Sequence, residues 1–306
     1  MNTRFGKIMA GIQLLLVALG TPLLLGSQQG RSKMIQVKGS DTLVNLVQIL
    51  SEEYMAKNPK TPIAVLGGGS GTGITALING TTDICNTSRD WKQKEYDLAW
   101  EKGVKVRLFV IAVDGLSIIV NEKNPLGRLP MPAVGAIYRG EIKNWKTVGG
   151  PDKPISLYGR QSNSGTYSFL QEHVMGNKPY STDMKEMNGN AQIIDGVLND
   201  ENAIGYVGVG YVVDQATGKP MKGLKVLNIS KDAKSEAFSP LERGNIDSGK
   251  YPISRPLYQA TNGKPRPDVA AFIAWETGPE GQKIVEREGF FPISPVHAAQ
   301  NEKNLK

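Results

Sequence analysis

From residue 35 onward, short β-branched runs alternate with segments whose apolar residues recur every three or four positions. That alternation predicts an α/β chain with largely parallel strand pairing. Residues 35–38 read as a strand, broken by Gly39-Ser40-Asp41, and Leu43, Leu46, Val47, Leu50 and Tyr54 then form a helical stripe ending before Asn58-Pro59. A second strand over residues 63–66 runs into a glycine-rich loop, residues 67–73, and a short helix over residues 74–78 stops at Asn79-Gly80. Ile84-Cys85 is a short strand, after which Ser88-Arg89-Asp90 is expected to open a helix carrying Trp91, Tyr96, Leu98 and Trp100.

Residues 104–120 form one β-rich passage broken only by Asp114-Gly115. It outruns a usual strand, so it reads as a crossing between two domains. The middle of the chain offers a strand over residues 155–158, a helix over residues 167–175 with Gly176 at its C-terminal cap, and a glycine-spaced strand over residues 205–211. Another strand near residues 251–258 crosses back, and helices over residues 268–276 and 279–287 rejoin the first domain. The expected division is residues 33–114 with 256–306 as a discontinuous first domain and residues 115–255 as the second. No internal repeat or low-complexity tract interrupts this order.

The first thirty residues differ. Arg4 and Lys7 precede an apolar run over residues 8–25, followed by Gly26-Ser27-Gln28-Gln29-Gly30. Basic start, apolar middle and polar end are the layout of a secretory signal, with a permanent anchor helix as the alternative. No cysteine follows the run, so no lipid-modified cysteine tethers the chain. The expected location is therefore periplasmic or otherwise extracytoplasmic. A single cysteine, Cys85, excludes an internal disulfide framework, and two histidines, His173 and His297, leave little room for a zinc enzyme. Across 306 residues, 36 Lys+Arg stand against 29 Asp+Glu, a net charge of +7. These cations are scattered, with no aromatic-interleaved basic stripe, so nucleic acid is not the expected partner; a mild positive field suits a small anion.

Three places share one local grammar of strand, small polar residues and helix start: residues 39–42, 69–72 and 162–166. The first turn of a helix has backbone N–H groups without intrahelical partners and the positive end of the macrodipole. Glycine lets an anion approach that backbone, and Ser or Thr hydroxyls add donors. Taken singly each is equally an ordinary N-cap. Arg160, four residues before Ser164, could grip an oxyanion bidentately, or form a surface ion pair. Ser88-Arg89 is a fourth candidate helix start, with Arg89 alternatively holding an interdomain contact. Competing motifs fail: residues 68–73 lack the P-loop lysine, neither Ser70 nor Ser164 sits in Gly-x-Ser-x-Gly, and a Ser164–His173 pair has no geometric warrant.

Together these residues resemble the periplasmic phosphate-binding proteins of ABC transporters, the PstS family, across essentially the whole mature chain. The resemblance is carried by Lys38-Gly39-Ser40-Asp41-Thr42, the glycine loop over residues 67–73, Thr82-Asp83-Ile84 through Ser88-Arg89, and Val113-Asp114-Gly115-Leu116. It continues in residues 140–145, residues 160–166 and Ala203-Ile204-Gly205-Tyr206. It implies an α/β two-domain periplasmic-binding-protein fold of type II, with crossing hinge strands and a ligand cleft between the domains. It also implies phosphate binding by Ser40, Thr42, Ser70, Ser88, Arg89, Arg160, Ser164, Gly165 and Thr166, delivery to a membrane-embedded ABC permease, a monomer, and neither cofactor, metal nor catalysis. One departure stands out. Well-known members place an aspartate after the third strand to accept the phosphate proton and repel sulfate; here Ser88 and Arg89 stand there, with Asp41, Asp83 or Asp90 as possible substitutes. Another tetrahedral oxyanion is therefore the alternative ligand. A phosphate-processing hydrolase and an anion-scavenging surface protein are the alternatives of other classes.

Overall fold

A computed structural model describes residues 33–214, 217 and 219–306 of the chain. The segment read as a secretory signal lies outside the described residues. Within residues 32–306, which form one compact unit, two five-stranded sheets are each the centre of a lobe, and the remaining described strands form a three-stranded sheet and a two-stranded pair.

The first lobe begins with β1 (Ile35–Gly39), α1 (Val44–Lys57), β2 (Ile63–Leu66), α2 (Ser70–Ile78), β3 (Ile84–Thr87), α3 (Gln93–Glu101) and β4 (Val106–Gly115). The chain then enters the second lobe through β5 (Ser117–Asn121), β6 (Arg128–Pro130), α4 (Met131–Tyr138), β7 (Ser156–Arg160), α5 (Gly165–His173), β8 (Lys185–Met187), α6 (Asn190–Asn199) and β9 (Ala203–Val207). Short strands β10 (Val213–Asp214), β11 (Lys219–Pro220), β12 (Leu224–Val226), β13 (Asn228–Ser230) and β14 (Ala237–Phe238) and helix α7 (Arg243–Asp247) complete it. It returns through β15 (Ser254–Asn262) to α8 (Pro267–Glu276), α9 (Pro279–Arg287) and α10 (Pro295–Leu305).

The first sheet has the order β2-β1-β3-β15-β4 and the second β12-β5-β9-β7-β8. The pairing is more mixed than the chain pattern suggests. β1 runs parallel to β2 and β3, but β15 is antiparallel to β3 and β4, with Arg255 opposite Asp114. In the second sheet β5 is antiparallel to β9 and β12. One crossing strand leaves the first lobe and the other returns, so the two must oppose each other where they meet.

Alternation along the strands assigns the cores. In the first lobe Ile84 faces the α1 and α8 side, whereas Cys85 faces Ile74, Leu77 and Ala99 from α2 and α3. In the second lobe Gly205 lies against Ile193 and Val197 of α6, and Tyr206, on the other face, meets the Tyr138 ring edge-on.

Several boundaries differ from the sequence pattern for local reasons. α2 starts at Ser70, because Gly68 and Gly69, at φ +112° and +89°, turn the chain so that Gly73 N–H reaches Gly69 C=O. The Ser88-Arg89-Asp90 stretch does not open α3; the helix starts at Gln93, where the Glu95 carboxylate takes the Lys92 N–H. The strand expected over residues 205–211 ends at Val207 and becomes a tight turn over Val209–Tyr211. Helix α10 carries no apolar stripe strong enough to read. It covers the edge strand β4 through amides, with Asn301 donating to Val110 C=O at 2.7 Å and accepting its N–H at 2.9 Å.

Candidate functional site

The three helix-start segments converge where the crossing strands meet. Ser40 and Thr42 leave β1, Ser70 begins α2, Ser88 follows β3, and Ser164, Gly165 and Thr166 begin α5. All five hydroxyls from Ser40, Thr42, Ser70, Ser88 and Thr166, and that of Ser164, are buried. Ser40 Oγ donates to Ser88 Oγ at 2.8 Å, and Ser88 N–H donates to Ser70 Oγ at 3.1 Å. Across the cleft Thr42 Oγ1 and Thr166 Oγ1 lie 3.0 Å apart. Gly165 fits against this group because it lacks a side chain: a Cβ there would stand 2.2 Å from Ser70 Oγ and 2.7 Å from Ser88 Oγ.

Arg160 ends β7 and is almost wholly buried. Its backbone N–H donates to Tyr206 Oη at 2.9 Å, and burial lifts that phenol to about 12, so it stays a neutral acceptor. The guanidinium donates through Nε to Met187 C=O and through Nη2 to Asn188 C=O and, at 2.5 Å, to the Asp41 carboxylate of the first lobe. Asp41 Oδ1 accepts the Gly68 N–H at 2.8 Å, and Asp41 C=O accepts from Tyr211 Oη and Asn190 Nδ2 in the second lobe. The glycine loop is clasped from the other side: Gly71 N–H donates to Asn163 C=O at 3.0 Å, and Asn163 Nδ2 donates to Gly68 C=O at 3.0 Å.

Of the residues the sequence singled out, eight of nine lie in or against this cluster, and the side chain of Arg89 does not. Its guanidinium forks onto both Glu95 oxygens at 2.7 and 2.8 Å and donates to Asp90 C=O. Arg89 is thereby committed to the start of α3, and burial of the Glu95 carboxyl is outweighed by those bonds, which hold it below the usual carboxylate range. Of the possible substitute carboxylates, Asp83 pairs with Arg266 and accepts the Gln36 N–H, and Asp90 accepts from Tyr258 Oη. Only Asp41 stands beside Arg160.

Sequence reading missed Arg255. Its side chain is fully enclosed, with Nε and Nη2 donating to Asp114 Oδ2 at 3.0 and 2.8 Å, Nη1 to Ser88 C=O at 2.7 Å, and Nη2 also to Thr166 Oγ1 at 3.0 Å. Asp114 Oδ1 in turn accepts the Val209 N–H at 2.8 Å. The available signal was parity: Arg255, Leu257 and Gln259 occupy the inward positions of β15, and an arginine there must find a partner indoors.

Chemically, this is a buried cluster of hydroxyls and helix N-termini from both lobes, accompanied by the buried Arg160 and Arg255 guanidinium groups, a composition suited to a compact oxyanion. His173 stacks on Phe169, with Nδ1 at 3.1 Å from Phe169 C=O, and so takes no part. Among the described residues no group of three or more His, Cys, Asp or Glu could hold a metal ion.

A family model described as a PBP superfamily domain matches residues 26–280. The chain is 31% identical over 293 residues to the phosphate-binding protein PstS of Pseudomonas aeruginosa, covering 90% of this chain and 88% of that one. It is 31% identical over 295 residues to PstS of Borreliella burgdorferi, covering 93% and 99%. The chain belongs to the PstS family. Its fold matches a putative phosphate ABC transporter substrate-binding protein with bound phosphate from Clostridium perfringens, at TM-score 0.75 and 27% identity over 86% of this chain and all of that one. An ABC-type phosphate transport receptor from Vibrio cholerae matches at TM-score 0.66 and 27% identity, over 85% of this chain and 100% of that one. The two-domain α/β binding-protein architecture is thus common to this chain and these PstS-like structures.

Proposed function

We propose that the protein is an extracytoplasmic substrate-binding protein that captures inorganic phosphate and delivers it to an ABC-type phosphate permease, without catalysis. The observation that carries this reading is the convergence of buried hydroxyls from both lobes, with the buried Arg160 guanidinium tied through Asp41 to the turn that holds Ser40 and Thr42. Thr42, Ser70, Ser88, Ser164 and Thr166 supply hydroxyl donors, Ser40 completes the first-lobe wall by donating to Ser88, and Gly165 opens the backbone of α5 to the anion. The lobes comprise residues 33–114 with 256–306 and residues 115–255, hinged where Asp114 and Arg255 meet. Residues 1–30 direct export, and the protein acts as a monomer that binds no nucleic acid. Among the described residues no helix is long and apolar enough to cross a membrane.

Calorimetric titration of phosphate-stripped protein with phosphate, then with sulfate, tests this. Phosphate at about 100 times its dissociation constant should add ~2.7 kcal/mol of apparent stability. Absence of both heat and thermal shift would overturn the reading. The sulfate arm addresses the second reading, a less selective tetrahedral-oxyanion receptor. That reading is favoured by Ser88 standing where a proton-accepting carboxylate is expected, and by Asp41 already accepting from Gly68 and Arg160.

A further inference from the structure

Arg255 contributes five N–H donors and no acceptor, which fixes what it can do to its neighbours. It faces four partners at once. Asp114 lies opposite it on the other crossing strand; Ser88 C=O belongs to the first lobe; Thr166 Oγ1 belongs to the second; and its guanidinium carbon sits 5.0 Å from the centroid of the Phe169 ring, also on α5. Because Thr166 Oγ1 accepts from Arg255, its own proton cannot point there and is left free to donate on the side where Thr42 Oγ1 lies, 3.0 Å away. The same logic operates at Ser70, which accepts the Ser88 N–H, and at Ser164, which accepts the N–H groups of Thr166 and Tyr167. Arg255 differs in being a side chain on a crossing strand, so its bond to Thr166 joins the pivot to the ligand-facing wall of the other lobe.

We propose that Arg255 is a positioning residue for anion capture: its guanidinium, anchored by Asp114, fixes Thr166 as a hydrogen-bond donor into the cleft and ties that donor to the Ser88 strand end. The inference rests on the anion-binding reading above. Asp114 keeps the guanidinium from acting as a loose charge, since both Nε and Nη2 fork onto one carboxylate oxygen while the other oxygen holds Val209 N–H of the second lobe. A lysine at this position carries its three donors on one nitrogen and cannot span Asp114, Ser88 and Thr166 as the guanidinium fork does.

The test is a double-mutant cycle read by phosphate titration calorimetry on the folded, phosphate-stripped protein. Arg255→Met and Arg255→Lys are each made alone and together with Thr166→Val. Arg255→Met should weaken phosphate binding about tenfold or more, and less than about threefold in the Thr166→Val background, because the donor it orients is already gone. Arg255→Lys should follow Arg255→Met rather than restore affinity. If Arg255→Met leaves Asp114 too poorly compensated for the chain to fold, the pair Asp114→Asn with Arg255→Met removes both charges together and enters the same cycle. Equal losses with and without Thr166 would overturn the proposal, as would full affinity in Arg255→Met. Failure of the unsubstituted protein to bind phosphate would instead remove the anion-binding reading on which the proposal stands.

Discussion

Replacing Gly165 by alanine separates closure of the cleft from folding of the lobes. Gly165 belongs to the second lobe, and the atoms its Cβ would meet, Ser70 Oγ at 2.2 Å, Ser88 Oγ at 2.7 Å and Ser70 Cβ at 2.9 Å, belong to the first. An ordinary contact begins near 3.4 Å, so the lobes must stay apart by 3.4 − 2.2 = 1.2 Å, or Ser70 must rotate. Rotation offers little relief. It leaves Ser70 Cβ in place and withdraws the hydroxyl from both the Ser88 N–H and any bound anion. Either response removes donors from the ligand.

A hydrogen bond to a charged group contributes about 1.5–3 kcal/mol. Losing those of Ser70 and Ser88 therefore costs about 3–6 kcal/mol, which is roughly 10²- to 10⁴-fold in the phosphate dissociation constant. Folding of the ligand-free protein should change by less than about 1 kcal/mol, because the first turn of a helix accepts alanine readily. Calorimetry with phosphate, paired with urea unfolding without it, measures the two effects separately. An affinity within about threefold of the unsubstituted protein would mean that bound phosphate does not bring α5 against Ser70 and Ser88, and the reading of a site shared between the two lobes would fail.

Two further substitutions test the electrostatics. Glu95 has its carboxyl held low by Arg89 and the Lys92 N–H, so it contributes stability above the unfolded glutamate value that is lost as pH falls through its own lower one. Glu95→Gln should cost about 2 kcal/mol at neutral pH, flatten the loss on acidification, and leave phosphate affinity unchanged; thermal melts across acidic pH and calorimetry check this, and a collapse of affinity would place Arg89 in the cleft. Glu276 is the opposite case: wholly buried, with Gln259 as its side-chain partner, it is pushed well above the usual carboxylate range by desolvation, which favours its protonated form. Its stabilising contribution is complete below the unfolded value and declines as pH rises toward the native one, at up to ~1.4 kcal/mol per pH unit. Glu276→Gln, a neutral isostere, should remove that slope and raise neutral-pH stability in urea melts; an unaltered pH profile would show the carboxyl to be ionised in the fold.

Much of this site was legible because it is built from local chemistry. A strand followed by small hydroxyl residues and a helix start announces exposed N–H groups wherever it falls, so residues 39–42, 69–72 and 162–166 could be found without knowing that they meet. Arg160 was legible for the same reason, standing at the strand end just before such a start. The expected division into a discontinuous first lobe and a second rests on the long β-rich passage at residues 104–120 and the late helices that follow the return strand.

What could not be read were the partners that long-range topology supplies. Ser88-Arg89-Asp90 has the composition of a helix opening, yet Glu95, six residues past Arg89, captures that guanidinium and starts α3 later. Nothing local distinguishes an arginine facing an anion from one facing a carboxylate on the next turn. Asp114 and Arg255 are 141 residues apart, and each looks like a surface charge until the two crossing strands are laid antiparallel in register. Their pairing also shows why the hinge can be polar. A bare charge at a pivot would be costly to bury, but here one carboxylate and one guanidinium compensate each other, the guanidinium bonded onward to both lobes and the carboxylate to the second. The residues of the proposed anion site are thus encoded segment by segment, whereas the Asp114–Arg255 pair proposed to position them exists only once the chain has crossed between its lobes twice.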